Sequence, residues 1–551
     1  MKRGRGKLRI YIAHEKDTLW TIAQKTSCAL EALAALNPAI TDSNADLAGR
    51  QVRLPSSASS VKRNISLPIC PPLPLPPSPD AEWLPLASLE DMQRTEYDVL
   101  IVGTGAGGGA ALWRLIQQLG ASGKRIGVLE RGSIAIPTHA QNIATMDTPT
   151  LLQYKKRFSH TVADYFTSQV YALGGRTLFW GATSPRMPVS ELAKWPIPIE
   201  EMNNYYTLAE KVMNVTGNYT KSAFLTQILL ARLQRSGFAD AIDEPIAINL
   251  EPVSQNGVLN SNPFFSSILF FAHALNASYD LAVNARVVKV LTDRNRAVGV
   301  EATSPDKRTY VLKAKHIVLA ASTFGTTQIL LNSGIHGPAI GHYFTNHTRV
   351  LGKGSLNRQE FPEVLGPLRI LIPGKEDRPY QIQIGGPGDF TWDQYRMQPL
   401  RQEWDCYFAA FGEVESRYEN HVYLDPAERD QDGVPRLKLQ FSYSERDLFV
   451  IEQMAEGIKY AASAMNIPLT LGNGPSICLA VPGVVSHEMG TCRIGEDTST
   501  SGTNLDGQIH GIQGLYAADG SVIPTSGTAN ITLTIVALAI RMADTIVRQL
   551  K

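Results

Sequence analysis

Three glycines and one glutamate are the first residues whose spacing implies chemistry. Gly103, Gly105 and Gly108 stand at G-x-G-x-x-G spacing behind an apolar, β-branched run, Tyr97 to Val102. Such a run predicts a strand buried on both faces. The segment beyond it predicts a helix to about Leu119. Gly103 allows the tight turn out of the strand, Gly105 has no Cβ and lets a pyrophosphate approach the backbone, and Gly108 lets the helix pack close to the strand. The helix N-terminus offers free N–H groups and partial positive charge to phosphates. A second strand-like run, Arg125 to Leu129, ends in Glu130, about 20 residues past the glycines, where a ribose-binding carboxylate is expected. Glu130 suits a free 2′-hydroxyl, because it would repel a 2′-phosphate. Strand, turn, helix, strand and acid in that order point to a dinucleotide site, where a glycine-rich turn beside a surface glutamate would need no such order.

The far end of the chain is as dense in unusual residues. It carries Ser486-His487-Glu488-Met489-Gly490-Thr491-Cys492-Arg493, then Tyr516-Ala517-Ala518-Asp519-Gly520-Ser521, then Gly527-Thr528-Ala529-Asn530-Ile531-Thr532. A helix is predicted from Thr532 to about Gln549. Between the two ends lie Gly174-Gly175-Arg176-Thr177-Leu178-Phe179-Trp180-Gly181 and Ala320-Ala321-Ser322-Thr323-Phe324-Gly325.

The elements that must position these residues are read from pattern. The chain has 551 residues and a net charge of +1, with 44% hydrophobic and 19% charged residues. That is room for two or three globular domains, with no global field for nucleic acid or an anionic membrane. The five cysteines are scattered without C-x-x-C spacing, which argues against a disulfide scaffold or a zinc site, and no metal is expected. No apolar run has the length of a signal peptide or a transmembrane helix, so a cytoplasmic protein is expected. Strands alternate at Asn284 to Leu291, Val298 to Ala302 and Thr309 to Lys313, followed by a separate buried strand from His316 and a helix, Thr326 to Leu331. Aromatic-rich alternating runs between 345 and 480 predict a mainly antiparallel sheet. A proline-dense stretch, 56–92, predicts a semi-rigid linker.

Ahead of that linker, residues 9–55 predict a small β-α-α-β unit, with Asp17 and Ser27 as helix N-caps and Asn37-Pro38 as a stop. Its segments Asp17-Thr18-Leu19-Trp20-Thr21-Ile22-Ala23, Ala32 to Pro38 and Leu47 to Pro55 resemble the LysM module. That resemblance implies a groove for N-acetylglucosamine-type glycans formed by Asp17, Thr18, Leu19, Asn37 and Ile40, or a module that has lost glycan binding.

From about Thr95 onward the chain resembles the glucose-methanol-choline (GMC) oxidoreductases, on six motifs in order: the G-x-G-x-x-G, Leu129-Glu130-Arg131-Gly132, Gly174-Gly175, the Ala320 to Gly334 segment, His487-x-x-Gly490-Thr491, and Ala518-Asp519-Gly520 through Asn530. The resemblance implies a mixed α/β and α+β architecture. A Rossmann-like FAD-binding domain would be assembled from 93–190, 265–345 and 481–551, with an antiparallel-sheet substrate domain from 191–264 and 346–480. It implies FAD held by Gly103, Gly105, Gly108, Glu130, Arg131, Thr177, Val287, Ala321, Asp519 and Gly520, with Gly174, Gly175 and Gly181 near its ring. It implies His487 as the base that takes an alcohol proton and Asn530 as its oxygen-positioning partner. Pyranose oxidases place a flavin-linked histidine where this chain has Phe179, so non-covalent FAD is expected. Arg176 departs from the usual motif and would face either phosphate or reduced flavin. His510 and Cys492 read as structural.

The substrate implied is a small-molecule alcohol, foremost a secondary hydroxyl of a sugar or glycoside. Two alternatives stand beside it: the same chemistry on a non-carbohydrate alcohol in natural-product tailoring, and a glycan-binding protein with a degenerate flavin domain.

Overall fold

The computed structural model describes residues 9–26, 28–55, 84, 86–143, 146, 148–162, 165–251, 254–255, 258–259, 264–275, 277–361, 367–386, 402–470 and 474–551. The chain divides into two compact units, with the boundary in sequence between Pro76 and Pro77, within the proline-rich stretch. Most of the linker expected over 56–92 lies outside the described residues, as does the expected cap Ser27.

The first unit holds strand β1 (Arg9–Ile12), helices α1 (Leu19–Thr26) and α2 (Leu30–Leu36), and strand β2 (Gln51–Leu54). β1 and β2 pair antiparallel, and Leu19, Ile22, Leu33 and Val52 form the core beneath them. Thr18, not Asp17, closes the start of α1. Thr18 N donates to Thr21 Oγ1 (2.8 Å) and Thr21 N donates back to Thr18 Oγ1 (3.2 Å). Asp17 is instead an internal hub, 1% exposed, accepting from Tyr11 Oη (2.9 Å), His14 N (2.9 Å) and Lys25 Nζ (2.5 Å). Asn37 clamps α2 to β2: its amide donates to Leu33 O and Arg53 O, and its Oδ1 accepts from Arg53 N. Asp17, Leu19 and Asn37 therefore turn their side chains into the unit. Thr18 and Ile40 remain partly exposed.

The second unit runs in chain order through β3 (Glu96–Val102), α3 (Ala106–Leu119), β4 (Ile126–Leu129), α4 (Ile199–Met213), β5 (Asp280–Ala282), β6 (Arg286–Asp293), β7 (Arg296–Thr303), β8 (Thr309–Leu319), α5 (Ser322–Asn332), β9 (Thr348–Asn357), β10 (Arg369–Ile372), β11 (Tyr380–Gly385), β12 (Glu403–Gly412), α6 (Glu445–Ala464), β13 (Ile477–Leu479), β14 (Leu515–Ala517) and α7 (Thr532–Leu550). The first sheet has the order β5-β4-β3-β8-β7-β6, with β14 also pairing β8. The β5-β4, β4-β3, β3-β8 and β8-β14 pairs are parallel, and β8-β7-β6 is an antiparallel meander. The strand expected from His316 is not separate, since β8 runs unbroken for 11 residues. Its first half alternates exposed and buried positions beside the meander. Its last three residues are buried on both faces, where β3 and β14 flank it.

The second sheet is antiparallel throughout, in the order β13-β9-β12-β11-β10 with Ile242–Asp243 at the edge. α6 lies on it, starting from a capping box of Ser444 and Asp447. Phe408, Ile382, Met454 and Ile458 fill the layer between.

Two expected boundaries shift. Leu84, Leu89 and Met92 sit in the first core, and Ala87 N donates to Leu281 O, so the first-sheet domain begins before residue 93. α4, expected with the substrate sheet, packs on α7: Tyr206 Oη meets Thr534 Oγ1 (2.8 Å) and Arg541 donates to Glu201 (2.8 Å). The apolar face of α7 needs a covering helix, and α4 supplies it. Among the described residues, no helix is long and apolar enough to cross a membrane.

Deleting residues 1–83 is expected to leave a folded protein that still binds FAD. Deleting 1–92 also strips Leu84, Leu89 and Met92 from the core, and loss of buried side chains of this size costs about 2 kcal/mol or more. Thermal melts of the two truncations check this; equal melting temperatures would contradict it.

Candidate active site

A cavity of about 740 Å³ opens between the C-terminal ends of the first sheet's parallel strands and the second sheet. Its first wall is the β3–α3 turn. An added Cβ at Gly103, Gly107 or Gly108 would sit 2.3, 1.6 or 2.0 Å from a backbone oxygen, so each is glycine because another segment passes there. Gly108 does not line the cavity; it seats α3 against the turn, where its Cβ would strike Gly103 O. At Gly105 a Cβ would meet nothing within 4 Å, so the open space there belongs to the cavity. Gly105 is also the N-cap of α3, with no side chain satisfying the first amides. Free amides at a helix N-terminus beside open space suit a pyrophosphate.

Glu130 forms the floor. Its carboxylate accepts from Thr104 N (3.2 Å), Thr104 Oγ1 (2.5 Å) and Gly132 N (2.7 Å). Burial pushes the carboxyl up to about 7, against the pull of those bonds. Arg131 lies over the Tyr171 ring at 3.8 Å. Val287 on β6, Ala321 at the start of α5, and Asp519 with Gly520 after β14 line the same space. Asp519 is fixed by Thr326 Oγ1 (2.5 Å) and Ser521 N (2.9 Å). Gly175, Thr177 and Gly181 line it too, while Gly174, at φ +91°, shapes the turn without reaching the cavity. The cradle, the uncapped helix and the buried acid together fit FAD.

The other end is built on an antiparallel crossing. Thr345 and Met489 exchange backbone hydrogen bonds (3.1 and 2.9 Å). Two residues along each chain, His347 therefore faces His487, their Nδ1 atoms 2.9 Å apart. Asn346 Oδ1 accepts from both backbone amides and fixes the pair. His347 Nε2 lies 3.0 Å from Ser526 O, which can only accept, so His347 carries its proton on Nε2. Burial pushes His347 down to about 4, and it is neutral at ordinary pH. Its Nδ1 is then an acceptor, and His487 Nδ1 must be the donor. His487 is likewise held well below its ordinary value, by burial first and then by the neighbouring His347, Arg176 and Arg349. A neutral His487 thus presents a bare lone pair at Nε2.

That lone pair faces Asn530 Nδ2 at 3.5 Å. Gln381 and Gln383, alternate residues on β11, both donate to Asn530 Oδ1 (2.9 and 2.5 Å). With its oxygen held, Asn530 turns its NH₂ toward His487. One proton acceptor and one donor then converge on a point where a hydroxyl oxygen can sit.

Glu488 points the opposite way. It accepts from Thr167 Oγ1 and from Arg176 (2.7 Å), with its side chain fully buried. Arg176, expected to face phosphate or flavin, is thereby paired with a protein carboxylate. His510 bonds Ser501 Oγ (2.9 Å) and Gly495 O (3.2 Å), away from the cavity. Burial raises the Cys492 thiol to about 12. His347, Gln381, Gln383 and Glu488 were not singled out from sequence. Glu488 stood beside His487 in a motif with no role assigned, and for the other three the only signal was alternation along two strands, which says nothing about what lies opposite.

Family models described as GMC oxidoreductase match residues 98–349 and 416–539, together more than half of the sequence. The chain belongs to the GMC oxidoreductase family. It is an enzyme acting on CH–OH groups, with FAD as cofactor. Among relatives, a C-glycoside 3-oxidase of Arthrobacter globiformis is 25% identical, over 69% of this chain and 74% of that protein. A 2-methyl-1,2-propanediol dehydrogenase of Mycolicibacterium austroafricanum is 26% identical, over 82% and 96%. The crystal structure of pyridoxine 4-oxidase from Mesorbium loti shares the fold at a TM-score of 0.60 and 13% identity, covering 82% of this chain and 99% of that one.

Replacing Glu488 with Gln would leave Arg176 without its buried counter-charge. Breaking such a pair costs about 3 kcal/mol, so the urea midpoint of E488Q should fall well below wild type. An unchanged midpoint would show that the pair adds nothing to the fold.

Proposed function

We propose that this oxidoreductase oxidises a secondary hydroxyl of a sugar or glycoside to a carbonyl, with His487 as general base and Asn530 as the group that positions the oxygen. The observation that carries it is the facing pair: a bare His487 Nε2 opposite an Asn530 NH₂ whose oxygen is held by two glutamines. The substrate O–H donates to His487 Nε2 while its oxygen accepts from Asn530. Bound FAD supplies the hydride acceptor for the carbinol C–H. As the proton arrives, His487 becomes an imidazolium with Nδ1–H still held by His347, and Asn530 keeps its bond to the product oxygen. The amide carries no charge at any working pH, so it supports the oxygen without competing for the proton. Non-covalent flavin is supported by Phe179, which lines the cavity and stands where the pyranose oxidases this chain resembles carry their flavin-linked histidine.

The carbohydrate class is supported by the glycoside-oxidising relative and by a cavity rich in polar side chains and arginines. The diol dehydrogenase among the relatives favours, as a second reading, the same chemistry on a non-carbohydrate alcohol. We also read the first unit as a LysM module: its β-α-α-β order and antiparallel β1-β2 pair support that. A glycan there would meet backbone, Thr18, Ile40 and the half-exposed Trp20.

Mixing the oxidised protein anaerobically with sugars, glycosides and simple alcohols tests the reading: sugars or glycosides should bleach the flavin band. Bleaching by simple alcohols alone would move the assignment to the second reading. His487→Ala should slow flavin reduction roughly 10²-fold or more while FAD stays bound; near-wild-type reduction would remove His487 from the mechanism.

The pH profile has a definite sign. A base held well below its ordinary value stays unprotonated through neutral pH. The reductive kcat/KM should therefore be flat from neutral pH down through the ordinary histidine range and fall only in more acidic solution. A fall centred on the ordinary histidine pKa would mean that the base is solvated and not wired as described.

A further inference from the structure

At the His487 end of the cavity stands a cation whose charge no acid answers. Of the other arginines that line the cavity, Arg176 is matched by Glu488, Arg286 by Asp430 and Asp432, and Arg369 by Glu244, while Arg131 lies over the Tyr171 ring at the nucleotide end. Arg349 lines the cavity as well. Among the described residues, no carboxylate, carbonyl or hydroxyl meets its guanidinium, and its Nε is sealed from solvent without a partner. Its close neighbour is an aromatic face, the Phe411 ring at 5.3 Å.

The sheet register explains where it points. Arg349 and Phe411 are cross-strand partners on β9 and β12. Thr348 and Val350 face the second core, Thr348 against Met454. By strand alternation, His347 and Arg349 share the other face. Phe411 also lies 5.8 Å from the His487 ring, so guanidinium, imidazole and phenyl border one chamber. Burial pulls Arg349 below its ordinary value, yet a guanidinium stays charged at any working pH. A desolvated charge without a counter-charge destabilises the fold. Such a group is explained when its counter-charge arrives with the ligand.

We propose that Arg349 receives a carboxylate carried by the substrate, so that the alcohol oxidised at His487 belongs to a hydroxy acid. Resting on the carbohydrate reading above, that substrate is a uronic acid or a uronide glycoside. A planar guanidinium takes a carboxylate in two parallel hydrogen bonds, which fixes direction as well as charge. The hydroxyl to be oxidised is then set against His487 and Asn530 by a contact remote from the reacting carbon. Arg349 is placed for the substrate and not the nucleotide, because it comes from the second sheet, on the face that carries His347.

The test uses the FAD-loaded full chain and matched pairs: glucose with glucuronate, methyl glucoside with methyl glucuronide, galactose with galacturonate. Calorimetric titration gives binding, and anaerobic bleaching gives oxidation. At least one acid should bind tenfold or more tighter than its neutral twin, with a margin that shrinks in added salt. Arg349→Gln should cut that acid-to-neutral ratio roughly 10- to 10²-fold, the range of a hydrogen-bonded charge pair, with the change in KM and not in kcat. Arg349→Lys should recover part of it. The ligand-free R349Q protein should melt no lower than wild type, because an unpaired charge has been removed. The proposal fails if no acid outbinds its neutral twin in wild type, or if R349Q leaves the ratio unchanged. It also fails if R349Q shifts only the flavin midpoint potential, which would assign the guanidinium to the cofactor. Acids that bind with the margin but are never oxidised would keep Arg349 as a carboxylate site and overturn the sugar-hydroxyl reading instead.

Discussion

Two imidazole nitrogens 2.9 Å apart can share only one proton. The Ser526 carbonyl on the far side of His347 decides which ring supplies it. Everything at this end of the cavity follows from that choice. The same proton count that makes His347 an acceptor makes His487 a donor at Nδ1 and leaves its other nitrogen bare. The loop that supplies the carbonyl continues to Asn530, whose amide is oriented by the β11 glutamines. Acceptor and donor are therefore set by one connected network before any ligand arrives. Preorganised groups of this kind need little reorganisation when charge develops.

The nucleotide end is set by a different constraint, the closeness of backbones. Gly103, Gly107 and Gly108 exist because carbonyl oxygens of neighbouring segments occupy the space of a side chain. This explains why that end was legible in the sequence. A glycine required by sterics leaves a mark at a fixed spacing, and the acid that follows it lies on the next strand of the same local unit. His487 and Asn530 were named from sequence on a different ground, the positions they hold in the motifs that resemble the GMC family.

What could not be read lies in the register between distant strands. His347 meets His487 only because Thr345 pairs with Met489, and Arg349 reaches the chamber only through the alternation that β9 then imposes. Neither residue stands in a motif. Gln381 and Gln383 look like the polar face of an ordinary strand until Asn530 is found between them. In the first unit the error ran the other way. Asp17 looked like a helix cap, because the sequence shows its neighbours and not the lysine and tyrosine that close over it.

β8 carries a consequence for biosynthesis. Its last residues have β3 on one side and β14 on the other, and the nucleotide cradle hangs from the ends of all three. β3 leaves the ribosome with its turn, helix and neighbour β4 close behind, but β8 follows roughly 200 residues later and β14 roughly 400 residues later, separations that slow folding. Until Leu515–Ala517 has emerged, the apolar end of β8 is without its final neighbour, and an unpaired apolar strand of that kind is prone to association. The cradle that hangs from all three strands is therefore complete only when the chain is almost fully made.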